Sequence, residues 1–395
     1  MKNLPVEVAR ARMLAEAGVP AREDAPLDQA LGRTLAEAVI AARDQPPFDA
    51  SAMDGWAAAG PEVWLDIVGE SAAGRGYRER LTPGQAVRIF TGAPVPMGAE
   101  RVVIQEDAVR DGERVRVPPP TGEPRHIRPR GGDFRAGDAL LAAGVRLDPW
   151  RLGLAAAAGR ARLAVARRPS VSVLSTGEEI VGAGQAPGPD QIFNSGGPSL
   201  CALITRWGGE ARPLSSVGDD IDAIAEAASR AGGDLIVTLG GASVGDHDLV
   251  KPAMARLGLD LRVETVRLRP GKPTWFGMLA DGRRVLGLPG NPASALVCAE
   301  LFLKPLLLAM QGAEPGPRLV GAKLSQPMPA NGPREHWARG RLAFRDGEML
   351  AAPMSDQDSS LVTVFAQADV LIRRPAEAPA APAGSVVEVL LLERL

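Results

Sequence analysis

Carboxylates recur beside glycine-rich turns in this chain, a pairing that suits an oxyanion or pyrophosphate held against a hard cation. The fullest instance is DLIVTLGGASVGDHD, Asp234 to Asp248. Leu235 to Leu239 run as a strand into Gly240, Gly241, Ala242, Ser243, Val244 and Gly245, and then into Asp246, His247 and Asp248. Glycines permit positive φ and close approach of backbone to ligand, and the N–H groups opening the next helix point into the same space. Acidic side chains fit beside an anion if Mg²⁺ lies between them and a phosphate. A strand-to-helix turn capped by Asp248 is the plainer alternative.

The same grammar recurs four times between residues 169 and 312. Val171 to Ser175 leads into Thr176-Gly177-Glu178-Glu179, a strand near Arg212 to Val217 into Gly218-Asp219-Asp220, Leu261 to Leu268 into Arg269-Pro270-Gly271-Lys272-Pro273, and Val285 to Leu288 into Pro289-Gly290-Asn291-Pro292. Helices are predicted over 198–207, 221–230, 249–257 and 293–304. The second presents Ile221, Ile224, Ala225 and Ala228 on one face with Asp219 or Asp220 as N-cap, and the last is opened by Asn291 and Pro292. Strand and helix alternate, which predicts a doubly wound, mainly parallel sheet. Loops that follow strand C-termini line the crevice where such sheets bind ligands. Five loops therefore converge, bringing Glu178, Glu179, Asp219, Asp246, Asp248, Arg269, Lys272, Ser175, Thr176 and Ser243. Only five of the 45 basic residues are lysine, Lys2, Lys251, Lys272, Lys304 and Lys323. A lysine kept between Pro-Gly and Pro therefore invites a functional reading over that of a surface charge.

Other parts of the chain must frame this unit. Helices are expected over Pro5 to Ala17 and Leu27 to Ala38, and Pro46-Pro47 stop helical structure before FDASAMDGWA, where Ser51 or Asp54 could simply shape a turn. From Trp64 to about Leu147, WLDIV, AVRIF, RVVIQ and RVRV alternate with turns, as in a small β module. RHIRPRGGDFRAGDALLAAG adds arginines and Asp133, and its charge could be a solvated edge. From Gly316 onward KLSQ, GRLAF and VVEVLLL predict a further small β domain, in which Arg339 and Gln357 to Ser360 are the site candidates. The expected division is 1–47 with 135–168 as a helical linking domain, 48–134 as a small β domain, 169–312 as the α/β domain, and 316–395 as the C-terminal β domain.

Composition excludes several classes. At 395 residues the chain is too long for one core, and a net charge of −2 argues against a nucleic-acid surface. Cys201 and Cys298 sit in apolar surroundings, with no disulfide framework and no zinc spacing among His126, His247 and His336. The opening residues lack a signal-peptide core and no apolar run reaches membrane-spanning length, so a cytoplasmic protein without membrane contact is expected. STGEEIVG has the wrong glycine spacing for a dinucleotide fold, and no Gly-x-x-x-x-Gly-Lys-Ser/Thr occurs.

ALGRTLAE, PPFDASAMDGWA, TGAPVPMGAERVV, IRPRGGDFRAGD, STGEEI, VGDD, TLGGASVGDHD, RPGKP and GLPGNPASAL, in this order and over essentially the whole length, resemble the molybdopterin molybdenumtransferase (MoeA) family, which includes the E domain of gephyrin. The resemblance implies a homodimer whose active site is shared between subunits. It also implies insertion of molybdate into the dithiolene of adenylylated molybdopterin, with release of AMP and a need for Mg²⁺. By motif, Asp54, Asp133, Glu179, Asp219 and Asp248 match the family's acidic positions, and Lys272 matches a basic one near the anion. Asp54 would complete the site in trans. Glu179, Asp219 and Asp248 would hold Mg²⁺, and Gly240, Gly241, Ser243 and Gly245 would cradle the pterin phosphate, with Thr176, Pro289 and Asn291 alongside. Arg269, Lys272, Arg339 and Ser359 would recruit molybdate. Pterin adenylyltransferase and molybdoenzyme maturation proteins would be the protein partners. Departures are Arg269 for a usual Lys, Trp56 for Tyr, Glu178 for a common Asp, and Asp358 for a Gly, whose added carboxylate could repel an oxyanion. A pterin carrier or scaffold, and a pterin adenylyltransferase, are the competing readings.

Overall fold

The computed structural model describes residues 1–120, 122, 125–241, 249–316 and 318–393. Ser243, Gly245, Asp246, His247 and Asp248 lie outside the described residues. The chain divides into two units, one comprising Met1–Glu23, Gly32–Ala36 and Ala164–Leu395, the other Asp24–Leu31 and Glu37–Leu163.

In the first unit a six-stranded sheet runs in the order Glu210–Pro213, Ser170–Ser175, Leu235–Leu239, Arg284–Leu288, Trp275–Met278, Asp260–Val263. The first four are mutually parallel, whereas Trp275–Met278 runs against both of its neighbours. The sheet is therefore mixed at one edge, where a continuous strand over 261–268 was expected. Asp260–Val263 ends early because the N-terminal residues claim the next backbone groups. Glu264 and Arg267 donate N–H to the carbonyls of Met1 and Leu4, at 2.9 and 2.8 Å, and Leu4 donates to Thr265. Period-two alternation sends side chains to opposite faces. Val171, Val173, Leu235, Val237, Leu286 and Leu288 enter one core, and Leu174, Ile236 and Val285 the other. The helix Val6–Ala15 also buries Val6, Ala9 and Met13 in the first of these cores.

Helix Ile221–Arg230 forms with its expected face, Ile224, Ala225 and Ala228 being buried. Of the two candidate caps Asp220 acts, accepting the Ala223 N–H at 2.7 Å. Asp220→Ala should cost about 1 kcal/mol, read as a lower denaturant midpoint at unchanged slope, while Asp220→Asn should cost a few tenths. Pro292–Cys298, Ala299–Leu303 and Lys304–Met310 form one continuous helix, wound as a π-helix in its middle segment, and longer than the expected 293–304. Contrary to expectation, this helix is long and apolar enough to cross a membrane, but its apolar residues are buried in the α/β core.

The C-terminal strands close on themselves. Glu335–Arg345, Glu348–Pro353, Leu319–Leu324, Val386–Leu391 and Val370–Arg374 follow in order, and the last pairs with the first to complete a small barrel. Leu268–Arg269 joins this barrel by pairing in parallel with Glu335 and His336. The Arg269 loop thus leaves from the barrel sheet and not, as anticipated, from the α/β sheet.

In the second unit another six-stranded sheet is ordered Arg101–Ile104, Gly55–Ala58, Gln85–Ile89, Trp64–Ser71, Arg114–Arg116, Val109–Asp111. Its Gly55–Ala58 strand begins directly after Asp54, where a turn is the plainer expectation. Only glycine fits at 55, because a Cβ there would collide with the Val103 carbonyl. The expected helix over 27–38 is replaced by a single 3-10 turn, Leu27–Gln29, followed by Gly32 at φ +72. Left-handed backbone at that glycine interrupts a helix, whatever the hydrophobic spacing.

Candidate functional site

The Asp/Glu-bearing loops and the glycines meet at the C-terminal edge of the α/β sheet. Thr176 donates its N–H to the Leu239 carbonyl at 2.9 Å, and Gly177 to Val217 at 3.0 Å, so three strand exits are stitched side by side. Gly240, at φ +97, lies so close to Thr176 that a Cβ would strike the Thr176 carbonyl. Gly290 faces Gly240, its Cβ position being 3.4 Å from the Gly240 Cα. The Thr176 hydroxyl is buried without a partner among the described residues, beside both Gly240 and Gly241. Pro289 is buried at the same edge. Ser175 accepts a hydrogen bond from the Asn194 side chain at 2.9 Å, and Asn194 in turn accepts the Gly197 N–H at 2.8 Å. Asn194 was not singled out from sequence; the motif IFNSGG preceding a helix was its available signal.

Carboxylates stand beside these glycines. Glu179 folds back over Gly177, where any Cβ would collide with its carboxylate. Glu178 lies alongside Gly218, whose Cβ position is 3.6 Å from the Glu178 Cγ. Asp219 is exposed and makes no side-chain hydrogen bond among the described residues, unlike its neighbour Asp220. No group of three metal-capable side chains is assembled among the described residues.

Adjoining this edge is a basic cleft of about 550 Å³, lined by Arg269, Lys272, Ser294, Arg334, His336 and Ser359, among others. Asn291 ties the two together: its amide donates to the Ser359 hydroxyl at 3.0 Å, and the Ala293 N–H donates to the Ser359 carbonyl at 3.1 Å. Asn291 occupies the N-cap position, but its side chain makes no cap bond. Gly271, at φ +116, keeps the loop tight against Cys298, whose Sγ a Cβ would strike, while Thr274 donates to the Gly271 carbonyl at 2.8 Å. That burial pushes the Cys298 thiol up to about 12, so it serves as packing rather than as a nucleophile.

Arg339 is fully buried and donates to the Asp358 carbonyl at 3.1 Å, while its Nε and Nη1 have no partner among the described residues. Burial lowers its proton affinity, partly offset by Asp356 and Asp358. The Asp358 carboxylate accepts from the Ser360 N–H at 2.8 Å and its hydroxyl at 2.6 Å, which holds it below the usual carboxylate range. Asp358 therefore builds the turn that presents Ser359. Ser294, Arg334 and His336 were not anticipated; they come to the cleft through the start of the long helix and the barrel strand, which local sequence spacing does not reveal.

Asp54 and Asp133 belong to the second unit. Asp54 opens the Gly55–Ala58 strand, where Thr91 donates to it from N–H at 2.7 Å and hydroxyl at 2.9 Å. These bonds, with Arg88 nearby, hold its carboxyl below the usual range. Asp133 is exposed and fixed through its backbone, donating N–H to the Gln45 carbonyl at 2.9 Å.

Three family models match in chain order: "MoeA N-terminal region (domain I and II)" over residues 4–159, "Probable molybdopterin binding domain" over 172–309, and "MoeA C-terminal region (domain IV)" over 321–392. A molybdopterin molybdenumtransferase from Nostoc sp. is 35% identical over 361 residues, covering 87% of this chain and 82% of the relative. One from Synechococcus elongatus is 40% identical over 274 residues, covering 66% and 68%. The crystal structure of a molybdopterin biosynthesis MoeA protein from Pyrococcus horikoshii covers all of both chains, with a TM-score of 0.83 at 31% identity. Glycine edge, basic cleft and closed barrel occur here in a chain that matches the Nostoc relative over 87% of its length and the Pyrococcus structure over all of it, and the chain belongs to the molybdopterin molybdenumtransferase family.

Proposed function

We propose that this chain inserts molybdate into the dithiolene of adenylylated molybdopterin, releasing AMP, in molybdenum cofactor biosynthesis. The observation that carries this reading is the joining of a basic cleft to a glycine-lined strand edge through Asn291 and Ser359. Gly240 and Gly241, packed against Thr176 and Val250 at positive φ, keep the strand exit free of side chains, and Lys272, Arg269 and Ser359 offer donors to a tetrahedral dianion. Arg269 in place of lysine keeps the charge and adds a forked donor.

Glu179 and Asp219, joined by Asp248, would hold Mg²⁺. Mg²⁺ keeps several waters and takes one or two carboxylates directly, and Glu179 and Asp219 stand on neighbouring loops of the same sheet edge. Bound there it would neutralise charge on the pyrophosphate. A homodimer with Asp54 acting in trans, and a cytoplasmic setting, belong to the same reading.

The test is AMP release from adenylylated molybdopterin, scored together with the product's ability to activate a cofactor-free molybdoenzyme. Release that needs both molybdate and Mg²⁺ supports the proposal. Tight substrate binding with no release under any oxyanion would indicate a carrier, and ATP consumption with metal-free molybdopterin an adenylyltransferase. Lys272→Ala should raise the molybdate concentration giving half-maximal release by about tenfold, the scale of one lost charge-assisted hydrogen bond. An unchanged molybdate titration would remove Lys272 from the cleft's function.

A further inference from the structure

His336 has no task in the account above, yet its Nε2 is buried without a partner among the described residues and the residue lines the basic cleft. Strand register surrounds it with positive charge. In the barrel His336 stands opposite Arg269 on one side and opposite Arg374 on the other, and directly opposed residues share a face of the sheet. Arg334 and Arg339 of its own strand segment bear on it electrostatically as well. Lys272 reaches the cleft from the Arg269 loop, and Asp356 and Asp358 are the carboxylates among the cleft's lining residues. Burial first, then the four arginines, push the imidazole down to about 4, so the ring of the free protein is neutral near pH 7.

An arriving dianion reverses that balance. We infer that His336 is a proton-linked contact for the bound oxyanion: neutral in the free cleft, it takes a proton from solvent when a tetrahedral dianion enters, and donates Nε2–H to it. This rests on the reading of the cleft as an oxyanion site. An opposite charge within a few ångströms raises such a pKa by about 1–3 units. The sign follows. Binding tightens as pH falls through the raised value of the complex, levels off below the value of the free protein, and is indifferent to this histidine well above both.

The test is calorimetry on the full chain with dilute molybdate, and separately with sulfate, which does not itself titrate in this window, in buffers of differing ionisation enthalpy at about pH 5.5 and pH 8. Proton uptake of about 0.2 to 0.9 per anion at the lower pH, according to the size of the rise, and near zero at the higher is expected, and His336→Asn should abolish the uptake together with the tightening. Independently of any variant, the three histidines of the chain allow NMR titration of each ring. The His336 midpoint should rise by at least about one unit when sulfate is added. Anion binding with no uptake, the same uptake in His336→Asn, or an unmoved midpoint overturns this inference and leaves the cleft as an oxyanion site. Failure of wild-type protein to bind either anion overturns both.

Discussion

Asp219→Asn is expected to lower molybdate-dependent AMP release by about 10² or more while leaving the fold unchanged. The two adjacent aspartates have different employment. Asp220 gives its carboxylate to the Ala223 N–H at the start of helix Ile221–Arg230, whereas Asp219 is exposed and makes no such bond among the described residues. Asp219 follows Val217, which is bridged to Thr176 at the mouth of the Ser170–Ser175 strand, so it lies on the same edge as Glu178, Glu179 and Gly240. Asparagine keeps the shape and loses the charge. If that charge holds Mg²⁺ against pyrophosphate, turnover falls and added Mg²⁺ restores part of it. Asp220→Asn supplies the control, since asparagine caps a helix as well as aspartate and turnover should persist. Equal turnover in both variants would remove Asp219 from the site, and equal loss in both would point to helix position instead of metal binding.

How far such roles were legible depended on whether the structure that places them is local. Ile221–Arg230 follows from spacing and capping signals within ten residues, and three of the four parallel strands follow from short apolar runs, whereas the strand expected near Arg212 to Val217 forms at Glu210–Pro213, a polar edge that pairing with Ser170–Ser175 sets. The segments that local signals leave open or misplace have distant causes. Gly55–Ala58 is a strand because Val103 and Arg88 bracket it, and Leu261 to Leu268 is broken because Met1 to Leu4 compete for its backbone. Trp275–Met278 escaped notice as a strand, yet Trp275 packs over Gly287 of its neighbour, where a Cβ would strike the indole ring.

The site divides along the same line. Motif residues at the sheet edge could be named from sequence because each follows its own strand. His336, Ser294 and Arg334 could not, since they reach the cleft only once Leu268–Arg269 has joined the barrel and Asn291 has found Ser359. The Asp358 carboxylate lines the cleft, as its charge suggests, while its hydrogen bonds to Ser360, which tie it into the turn presenting Ser359, are not visible in sequence.

Arg339 offers the sharpest separation of binding from stability. Its side chain is wholly buried and spends one Nη2 bond on the Asp358 carbonyl, while Nε and Nη1 have no partner among the described residues. A buried, incompletely paired guanidinium is costly to the fold, and an apolar side chain of similar length relieves that cost. Its charge, on the other hand, lies behind the turn that presents Ser359 to the cleft, where it adds to the attraction for a dianion. Arg339→Met should therefore weaken molybdate binding by about tenfold at most, the scale of a charge that acts on the anion through the turn and not by contact, with an unfolding midpoint equal to or above that of the wild type. Arg339→Lys should retain part of the affinity, because the charge stays and the fork that reaches the Asp358 carbonyl is lost. Calorimetry with molybdate beside a denaturant titration of each variant decides the matter. Affinity and stability falling together would mean that Arg339 holds the barrel closed and serves the anion only through it.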